Sequence, residues 1–393
     1  MNQTIPQALP VLAVFDMKIT KSSPAGSCVL AEINGLAASY HILAVTAELD
    51  NEYPERIEWL RVPLPRGPVL LRYVLFHTLA PFVYALWRLR GGRAAIIQTT
   101  QGQFPSANIA YAHFCHRAYL KNQWLNSTVS GPRRWSRWLS HQFNAFFEKL
   151  AFSRCRVLVV PSQGLARELA KEYPEVKDKI EVISNPVAID RFTRPIDFDR
   201  TAMRTRLGLA ENDLVLSFMA LGDFSRKGLG LLIEALGQLD DTQRNGLKLL
   251  VIGGQPDEIE TFRTYATQFG VESSLVFVGM QKEVNSYLWV SDVFVLPSSY
   301  ETFSLAAFQA AASGIPVMVS TDLYGPEDMV VDGINGWQVS RDVDSIHQWI
   351  LRLLRDRNNL KVMALAAVES VRPYSVEAFT ARWHALYQRL LAV

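Results

Sequence analysis

Cysteine is scarce in this chain, since only three of its 393 residues are cysteines. Cys28, Cys115 and Cys155 are odd in number and lack the spacing of metal ligands, which argues against a disulfide framework and a cysteine metal site. Residues 1–10 are polar and lack the apolar core of a signal peptide. Both absences predict a cytosolic protein that is not addressed for export.

Uninterrupted apolar runs of membrane-spanning length are also missing. Residues 69–87 come close to the ~20 residues that a span requires, but Arg72, His77 and Pro81 interrupt the run. We therefore expect a packed helix, or one that grazes a membrane surface, rather than a span. Low-complexity tracts and short-period repeats are absent too, which is typical of an ordinary globular chain.

The length predicts about two domains, because a single core stops growing near ~250–300 residues. The net charge of +2 hides an asymmetry: residues 1–195 carry +9 (23 basic, 14 acidic) and residues 196–393 carry −7 (17 basic, 24 acidic). The basic half fits an anionic membrane surface or an anionic acceptor, or else two solvated surfaces that simply differ. Nucleic acid is a weaker candidate, because the basic residues are scattered and no recognition motif accompanies them.

Short apolar strands alternate with helices along the chain, which predicts an α/β fold with two doubly wound parallel sheets. In the first half we predict strands at residues 11–15, 41–46, 93–99, 108–113, 157–161 and 180–184, and helices at residues 27–38, 132–152 and 164–172. In the second half we predict strands at residues 214–221, 247–252, 275–278, 293–297 and 317–320. A proline-bearing connector at residues 185–187 (NPV) separates the two sets.

The most informative stretch is residues 298–305 (SSYETFSL), which lead from an apolar strand into an alanine-rich helix. Gly314 and Pro316 mark the end of that helix. A strand that enters a helix in this way directs free backbone N–H groups, and the positive end of the helix dipole, at one point. Such a helix start binds an anion, most often a phosphate.

A second candidate for phosphate binding is residues 222–228 (GDFSRKG), which follow the strand predicted at residues 214–221. Lys227 as a point charge and Arg226 as a planar fork could clamp a diphosphate without a metal. The alternative is a polar turn that merely ends in glycine. Segment 222–228 precedes the loop that contains Glu301, here called the Glu301 loop, in a second Rossmann-like domain. This order along the chain favours the phosphate site.

These segments resemble the signature of the retaining glycosyltransferases with the two-domain GT-B fold, known as glycosyltransferase family 4. The resemblance extends over nearly the whole chain and includes residues 159–162 (VVPS), 185–187, 227–228, the Glu301 loop and 332–336 (DGING). It implies two Rossmann-like domains that face each other across a cleft. Residues 1–190 would bind the acceptor and residues 191–374 the nucleotide sugar, while a last helix at residues 375–393 would cross back to the first domain.

The resemblance also implies roles for individual residues. Glu301 matches a glutamate that contacts the transferring sugar, whereas Gln309 replaces the family's second glutamate, which accepts hydrogen bonds from the ribose. Arg226 and Lys227 would stabilise the diphosphate. The remaining residues implied to bind the donor are the first glycine of that loop and the start of the helix: Gly222, Phe303, Ser304 and Leu305.

Two residues of the first half belong to the implied site. Gly26 ends a loop that resembles the family's glycine loop, although many members have a pair of glycines there. His113, at the end of the strand predicted at residues 108–113, matches a histidine that reaches the donor sugar; the alternative is a structural histidine.

The implied reaction is a metal-independent transfer, without a cofactor, of a sugar from a UDP-sugar or GDP-sugar to a glycan or lipid-linked acceptor. The family suggests bacterial surface polysaccharide or lipopolysaccharide biosynthesis. Two alternatives stay open: a sugar-nucleotide-binding protein with impaired turnover, marked by Gln309, and a nucleotide-sugar epimerase.

Peripheral docking at the inner face of the plasma membrane is suggested by cations and indoles in one helix (Arg133, Arg134, Trp135, Arg137 and Trp138), which could equally be a plain surface helix.

Overall fold

A computed structural model of the chain describes residues 9–126 and 131–392, apart from the side chains of Asn126 and Arg133. Most of the polar segment at residues 1–10 therefore lies outside the described residues. The chain divides into two compact units. Unit 1 comprises Met1–Pro186 with Val376–Val393, and unit 2 comprises Val187–Ser375.

Unit 1 is an α/β structure of nine strands and six α-helices within the described residues. Its strands are β1 (Val11–Phe15), β2 (Lys18–Ile19), β3 (His41–Thr46), β4 (Glu48–Leu49), β5 (Ile57–Arg61), β6 (Ile96–Thr100), β7 (Ile109–Tyr111), β8 (Val157–Val160) and β9 (Ile180–Val182). Its helices are α1 (Pro24–Leu36), α2 (Val69–Leu89), α3 (His116–Asn122), α4 (Gly131–Arg154), α5 (Gln163–Glu172) and the C-terminal α16 (Val376–Leu391).

The main sheet of unit 1 is parallel throughout, in the order β5-β3-β1-β6-β7-β8-β9. Strand order reverses between β1 and β6, as in doubly wound folds. The predicted alternation of strands and helices is thus confirmed. The strand predicted at residues 108–113 was wrong at its end: Ala112 N still donates to Val159 O (2.8 Å), but the strand ends at Tyr111 and His113 lies in the following loop.

Helix α1 begins three residues earlier than the prediction at residues 27–38. Ser23 is its N-cap, since its hydroxyl oxygen accepts a hydrogen bond from Gly26 N (3.2 Å), and Pro24 occupies the first helical position. Serine at the cap and proline directly after it are both favoured there. Gly26 consequently lies in the first turn of the helix rather than in the loop before it.

The C-terminal helix α16 packs on unit 1, which confirms the predicted crossing back of the last helix. Phe379, Trp383 and Leu386 join the core beside α1. A fully buried polar network also ties α16 to the sheet. In it, Tyr387 contacts both Gln98 and Glu32, and Gln98 Nε2 donates to Glu32 Oε2 (2.8 Å).

Burial raises the pKa of Glu32 to about 8. A protonated Glu32 suits the network, because its O–H can donate to Tyr387, whose own hydroxyl then donates to Gln98 Oε1. Since the folded pKa lies above the unfolded value of 4.5, the stabilisation is complete below pH 4.5 and is lost as the pH rises to about 8.

We expect Glu32→Gln to remove this pH dependence, because a glutamine amide can donate to Tyr387 without taking up a proton. Over the range from pH 5 to pH 8, the free energy of unfolding of wild type should fall by up to about 1.4 kcal/mol per pH unit relative to the variant. Urea unfolding of both proteins at four pH values measures the slope. Exposed Glu175→Gln is the control; equal slopes for wild type and Glu32→Gln would contradict the assignment.

Unit 2 contains the second parallel sheet. Its strands are β10 (Leu214–Ala220), β11 (Leu247–Gly253), β12 (Leu275–Gly279), β13 (Val293–Leu296), β14 (Val317–Ser320) and β15 (Gly336–Val339). Its helices are α6 (Ile189–Phe192), α7 (Arg200–Arg206), α8 (Phe224–Lys227), α9 (Leu229–Gly237), α10 (Asp241–Arg244), α11 (Pro256–Gln268), α12 (Asn285–Trp289), α13 (Leu305–Ala312), α14 (Val343–Arg355) and α15 (Leu360–Val371).

Strand order in unit 2 is β12-β11-β10-β13-β14-β15, again wholly parallel. In chain order this is 3-2-1-4-5-6, the order of dinucleotide-binding Rossmann folds. The order reverses between β10 and β13, which are direct neighbours. Ligands of open α/β sheets bind at such a reversal, beyond the carboxyl ends of the strands.

Candidate active site

Both segments that the sequence singled out lie at the strand reversal of unit 2. The segment 222–228 leaves the carboxyl end of β10, and the Glu301 loop leaves the carboxyl end of β13. Because β10 and β13 are neighbours, the two loops meet: Ser299 N donates to Arg226 O (2.9 Å). The site is therefore built from sequence segments more than 70 residues apart.

Two non-glycine residues of this site adopt the left-handed backbone conformation. Asp223 has φ 61° and ends the turn before α8, and Ser304 has φ 64° and ends the turn before α13. Such conformations are rare outside glycine and are concentrated at functional sites. Each of these two residues directly precedes the first residue of its helix.

Three charged side chains converge between the loops. Lys227 Nζ forms a close ion pair with Glu301 Oε1, and Arg226 Nη1 lies 3.7 Å from the same oxygen. Arg226 also donates from Nε to Asp223 Oδ2 (2.7 Å) and from Nη1 to Tyr300 O. The Lys227 and Glu301 side chains are 17% and 10% exposed, so their charges are poorly screened by water.

Several contacts fix the backbone of segment 222–228 and of the neighbouring end of β13. Gly228 has φ 87°, and a Cβ added there would lie 2.2 Å from Pro297 O, so only glycine allows this approach of α8 to the end of β13. Glu258 Oε1 accepts a hydrogen bond from Phe224 N (2.6 Å), and Arg341 Nε donates to Pro297 O (3.0 Å). Sequence reasoning missed both Glu258 and Arg341; nothing local to either residue signals a contact so far along the chain.

The start of α13 lies beside this charged cluster. Ser304 is buried, and its hydroxyl has no hydrogen-bond partner among the described residues. Phe303 is buried and stacks on Phe308 with 4.2 Å between ring centroids, which anchors the turn. Leu305 is the first helical residue and Gln309 follows one turn later on the same face, half-buried. In the first turn, Ala307 N donates to Ser304 O (3.0 Å), while Leu305 N and Ala306 N are helix-start donors that lack an intrahelical acceptor.

The structure brings together Arg226, Lys227 and Glu301. Gly222 precedes Asp223 in the same segment as the two cations, and Phe303, Ser304 and Leu305 follow Glu301 directly along the chain to the start of α13. The other two predicted site residues, Gly26 and His113, lie in unit 1, the half of the chain to which the sequence assigned them. Gly26 N is used in the cap of α1, and a Cβ at Gly26 would lie 1.9 Å from Lys18 O. Close packing of α1 against β2 therefore explains the glycine in the structure.

His113 follows β7 at the carboxyl edge of the unit 1 sheet. Its backbone N donates to Gln101 Oε1 (3.1 Å). The centroids of its ring and the Tyr111 ring are 4.0 Å apart. Burial lowers the pKa of His113 to about 3, so the imidazole is neutral at physiological pH. Its Nε2 is buried without a hydrogen-bond partner among the described residues. A neutral imidazole donates a hydrogen bond from one ring nitrogen and accepts one at the other.

The fold and these loops define a class of protein: a two-unit α/β chain with the GT-B fold, whose second unit carries a candidate anion site at the reversal of its sheet. Two family models match the sequence. Glycosyltransferase Family 4 matches residues 25–191, and Glycosyl transferases group 1 matches residues 215–356. Together the matches span most of the chain, which belongs to this glycosyltransferase family.

Curated relatives agree with the family. The uncharacterized glycosyltransferase MJ1607 of Methanocaldococcus jannaschii is 29% identical over 64% of this chain and 64% of its own length. The D-inositol 3-phosphate glycosyltransferase of Corynebacterium glutamicum is 30% identical over 60% of this chain and 58% of its own length. The Escherichia coli lipopolysaccharide glucosyltransferase WaaG is 23% identical over 59% of this chain and 61% of its own length. Each match thus spans less than two thirds of the relative.

Solved structures show the same fold over nearly the whole chain. WaaG superposes with a TM-score of 0.75 at 17% identity, covering 96% of this chain and 99% of that one. Anabaena HepE, in complex with UDP and glucose, superposes with a TM-score of 0.71 at 16% identity, covering 97% and 100%. At identities this low, the matches establish the GT-B fold alone.

Proposed function

We propose that this chain is a retaining, metal-independent glycosyltransferase that moves a hexose-type sugar from a nucleoside-diphosphate donor to a glycan or lipid-linked acceptor. The observation that supports it best is the cluster of Arg226, Lys227 and Glu301 beside the start of α13. Lipopolysaccharide or surface-polysaccharide assembly at the cytosolic face of the membrane fits the names of relatives such as WaaG.

The chemistry follows from where charge develops. When the glycosidic bond to the donor breaks, negative charge accumulates on the departing β-phosphate. We infer that Lys227, Arg226 and the first-turn N–H groups of α13 stabilise this charge, with the two cations exchanging their contacts with Glu301 for the phosphate. Glu301 orients the two cations and accepts hydrogen bonds from the sugar. Retention follows if a leaving phosphate oxygen takes the acceptor proton on the same face.

Gln309 supports a second candidate, a sugar-nucleotide-binding protein with impaired turnover. A glutamine keeps one carbonyl acceptor for the ribose but loses the negative charge. Since hydrogen bonds to charged groups contribute roughly 1.5–3 kcal/mol and neutral ones about 1 kcal/mol, donor binding is weaker than a glutamate would give.

Gln309→Glu is expected to tighten nucleotide binding by roughly 2- to 30-fold, the ratio that corresponds to that difference in hydrogen-bond energy. The measurement is the Kd of the nucleoside diphosphate by isothermal calorimetry. Gln348→Glu, on the exposed face of α14, adds the same charge away from the site and should leave the Kd unchanged. Unchanged or weaker binding in Gln309→Glu would contradict the proposed contact between residue 309 and the ribose.

The proposed function is tested by calorimetry of the whole chain against UDP, GDP and ADP, with chelator present. We expect one nucleoside diphosphate to bind without added metal, and its sugar conjugate to be consumed when a glycan acceptor is supplied. If the wild-type protein binds the nucleotide without turnover and Gln309→Glu restores turnover, the impaired-site candidate is favoured. An isomerised donor without transfer would identify an epimerase, and no nucleotide binding at all would refute the proposed donor site.

A further inference from the structure

Two long helices of unit 1, α2 and α4, cover the same face of its sheet. Helix α2 packs in a cluster with Ala13, and α4 packs in a cluster with Leu158. Ala13 lies opposite Ile97 on β6; two residues further along β6, Thr99 lies opposite Ala110, which in turn lies opposite Leu158. Partners in register share a sheet face, and alternate residues of a strand do as well. The outer faces of α2 and α4 therefore point the same way.

The two helices are also direct neighbours. His77 of α2 lies against two rings of α4, with centroid distances of 4.9 Å to Phe143 and 4.3 Å to Phe147. Their outward-facing residues thus form one continuous surface, which we call the α2/α4 surface. It belongs wholly to unit 1.

Helix α2 presents an apolar stripe on this surface. Only Phe76, Ala80 and Tyr84 are buried along its 21 residues. The large apolar residues on the opposite side are between 39% and 83% exposed and recur at helical spacing: Leu71, Val74, Phe82, Leu86 and Leu89. Among the described residues, α2 is the one helix whose length and apolar composition would allow it to cross a membrane.

Helix α4 continues the apolar surface with three exposed side chains. Trp135, Leu139 and Phe146 are 69%, 46% and 66% exposed, and their spacing of four and seven residues places them on one helix face. Trp138 lies beside Trp135 with ring centroids 6.0 Å apart. Eight large apolar side chains on two adjacent helices are more than scattered surface hydrophobics account for in a monomeric protein.

The exposed charges carried by the two helices have one sign. Helix α2 contains no acidic residue, and the single acidic residue of α4, Glu148, is fully buried. Arg88, Lys149 and Arg154 are exposed on the same two helices. Apolar and indole side chains edged by cations are typical of proteins that lie at the interface of anionic lipid bilayers.

We propose that the α2/α4 surface docks this protein onto an anionic lipid bilayer, with the apolar stripes entering the headgroup region and the cations contacting lipid phosphates. The inward face of α2 belongs to the core of unit 1, so the helix lies on the membrane rather than crossing it. The proposal rests on the proposed function only in that a lipid-linked acceptor would be met at this surface.

Flotation of the whole protein with vesicles tests the proposal. Vesicles of phosphatidylcholine with about one third phosphatidylglycerol should bind wild type, pure phosphatidylcholine vesicles should bind it less, and 0.5 M salt should weaken binding, since exposed charges are screened. F82S/F146S should lower the partition coefficient about tenfold or more, because two exposed rings no longer enter the bilayer. K149E/R154E should lower it about fivefold or more per charge on anionic vesicles.

V362S/L365S is the matched control, since these residues of α15 in unit 2 are 67% and 72% exposed. It should bind vesicles as wild type does. Equal binding by F82S/F146S and wild type, or no vesicle binding at all, would overturn the proposal. Two further results would also overturn it: protein that resists alkaline extraction, which indicates a spanning α2, or a dimer that F82S/F146S dissociates while vesicle binding is unaffected.

Calorimetry of the same variants with nucleotide separates this inference from the proposed function. F82S/F146S should keep the wild-type Kd for the nucleoside diphosphate, because the substitutions lie in unit 1 on the exposed faces of α2 and α4. Vesicle binding without nucleotide binding would refute the proposed function and leave the docking surface standing. Nucleotide binding without vesicle binding would overturn the docking surface and leave the proposed function standing.

Discussion

Lys227→Ala is expected to lower the rate of sugar transfer by roughly 10²- to 10³-fold, the range found when one preorganised donor is removed from a site of developing negative charge. Lys227 is mostly buried and paired with Glu301, so its charge acts in a poorly screened environment. The effect should fall mainly on kcat, because phosphate charge is greatest in the transition state. Steady-state kinetics with the donor identified by calorimetry gives the measurement.

Three comparisons make this prediction specific. Lys361→Ala removes an exposed lysine of α15 and should leave kcat at the wild-type value. Lys227→Arg keeps the charge in another geometry and should restore part of the rate. An unchanged melting temperature for Lys227→Ala would show that the unit is folded, and a folded variant with unimpaired turnover would refute the role assigned to Lys227.

Glu301→Gln should separate the sugar contact from the phosphate contact. The change keeps the size of the side chain but removes the charge that pairs with Lys227 and lies 3.7 Å from Arg226. Loss of a charged hydrogen bond to the sugar, worth roughly 1.5–3 kcal/mol, corresponds to about a 10- to 150-fold loss of kcat/KM. The affinity for the free nucleoside diphosphate should stay the same or rise, because both cations are released toward phosphate.

Calorimetry with the nucleotide and with its sugar conjugate reads out the two contacts. Exposed Glu211→Gln in unit 2 is the control and should change neither affinity. If Glu301→Gln weakens binding of the bare nucleotide as much as that of the sugar conjugate, Glu301 acts on the phosphate site as a whole. Its assignment to the transferring sugar would then be wrong.

Much of unit 2 could be predicted from the sequence because its signals are local. The turn into α13 combines an apolar strand, small residues and an alanine-rich helix that ends at Gly314, and the structure has a helix at Leu305–Ala312. The cations of segment 222–228 follow directly after a strand, so their place at a sheet edge was predictable. The pairing of Lys227 with Glu301 was not predicted, because it depends on which strands are neighbours.

Edge strands and loop ends were harder to predict. Strand β5 was missed, since Glu58 and Arg61 give it a polar, mostly exposed edge that hides the apolar alternation. Strand β15 was missed as well, being only four residues long and beginning at Gly336. His113 was assigned to a strand because apolar residues precede it, whereas the structure ends β7 two residues earlier.

The apolar run at residues 69–87 shows what composition alone leaves open. Its hydropathy predicts burial or membrane contact without distinguishing the two. In the structure Phe76 faces the core, while Phe82 and Leu89 are 60% and 83% exposed. The distinction required the position of α2 on the sheet, which no local pattern specifies.

The most direct test of the account is to follow the α-linked sugar conjugate of the nucleotide that binds by proton NMR, with wild-type protein and a glycan acceptor. We expect consumption of the α-donor, an α-linked product and a reaction that continues in chelator. A β-linked product would contradict retention. A donor that is neither transferred, hydrolysed nor isomerised, by wild type and by Gln309→Glu alike, would contradict the assignment of the Lys227 and Glu301 cluster as a transferase site.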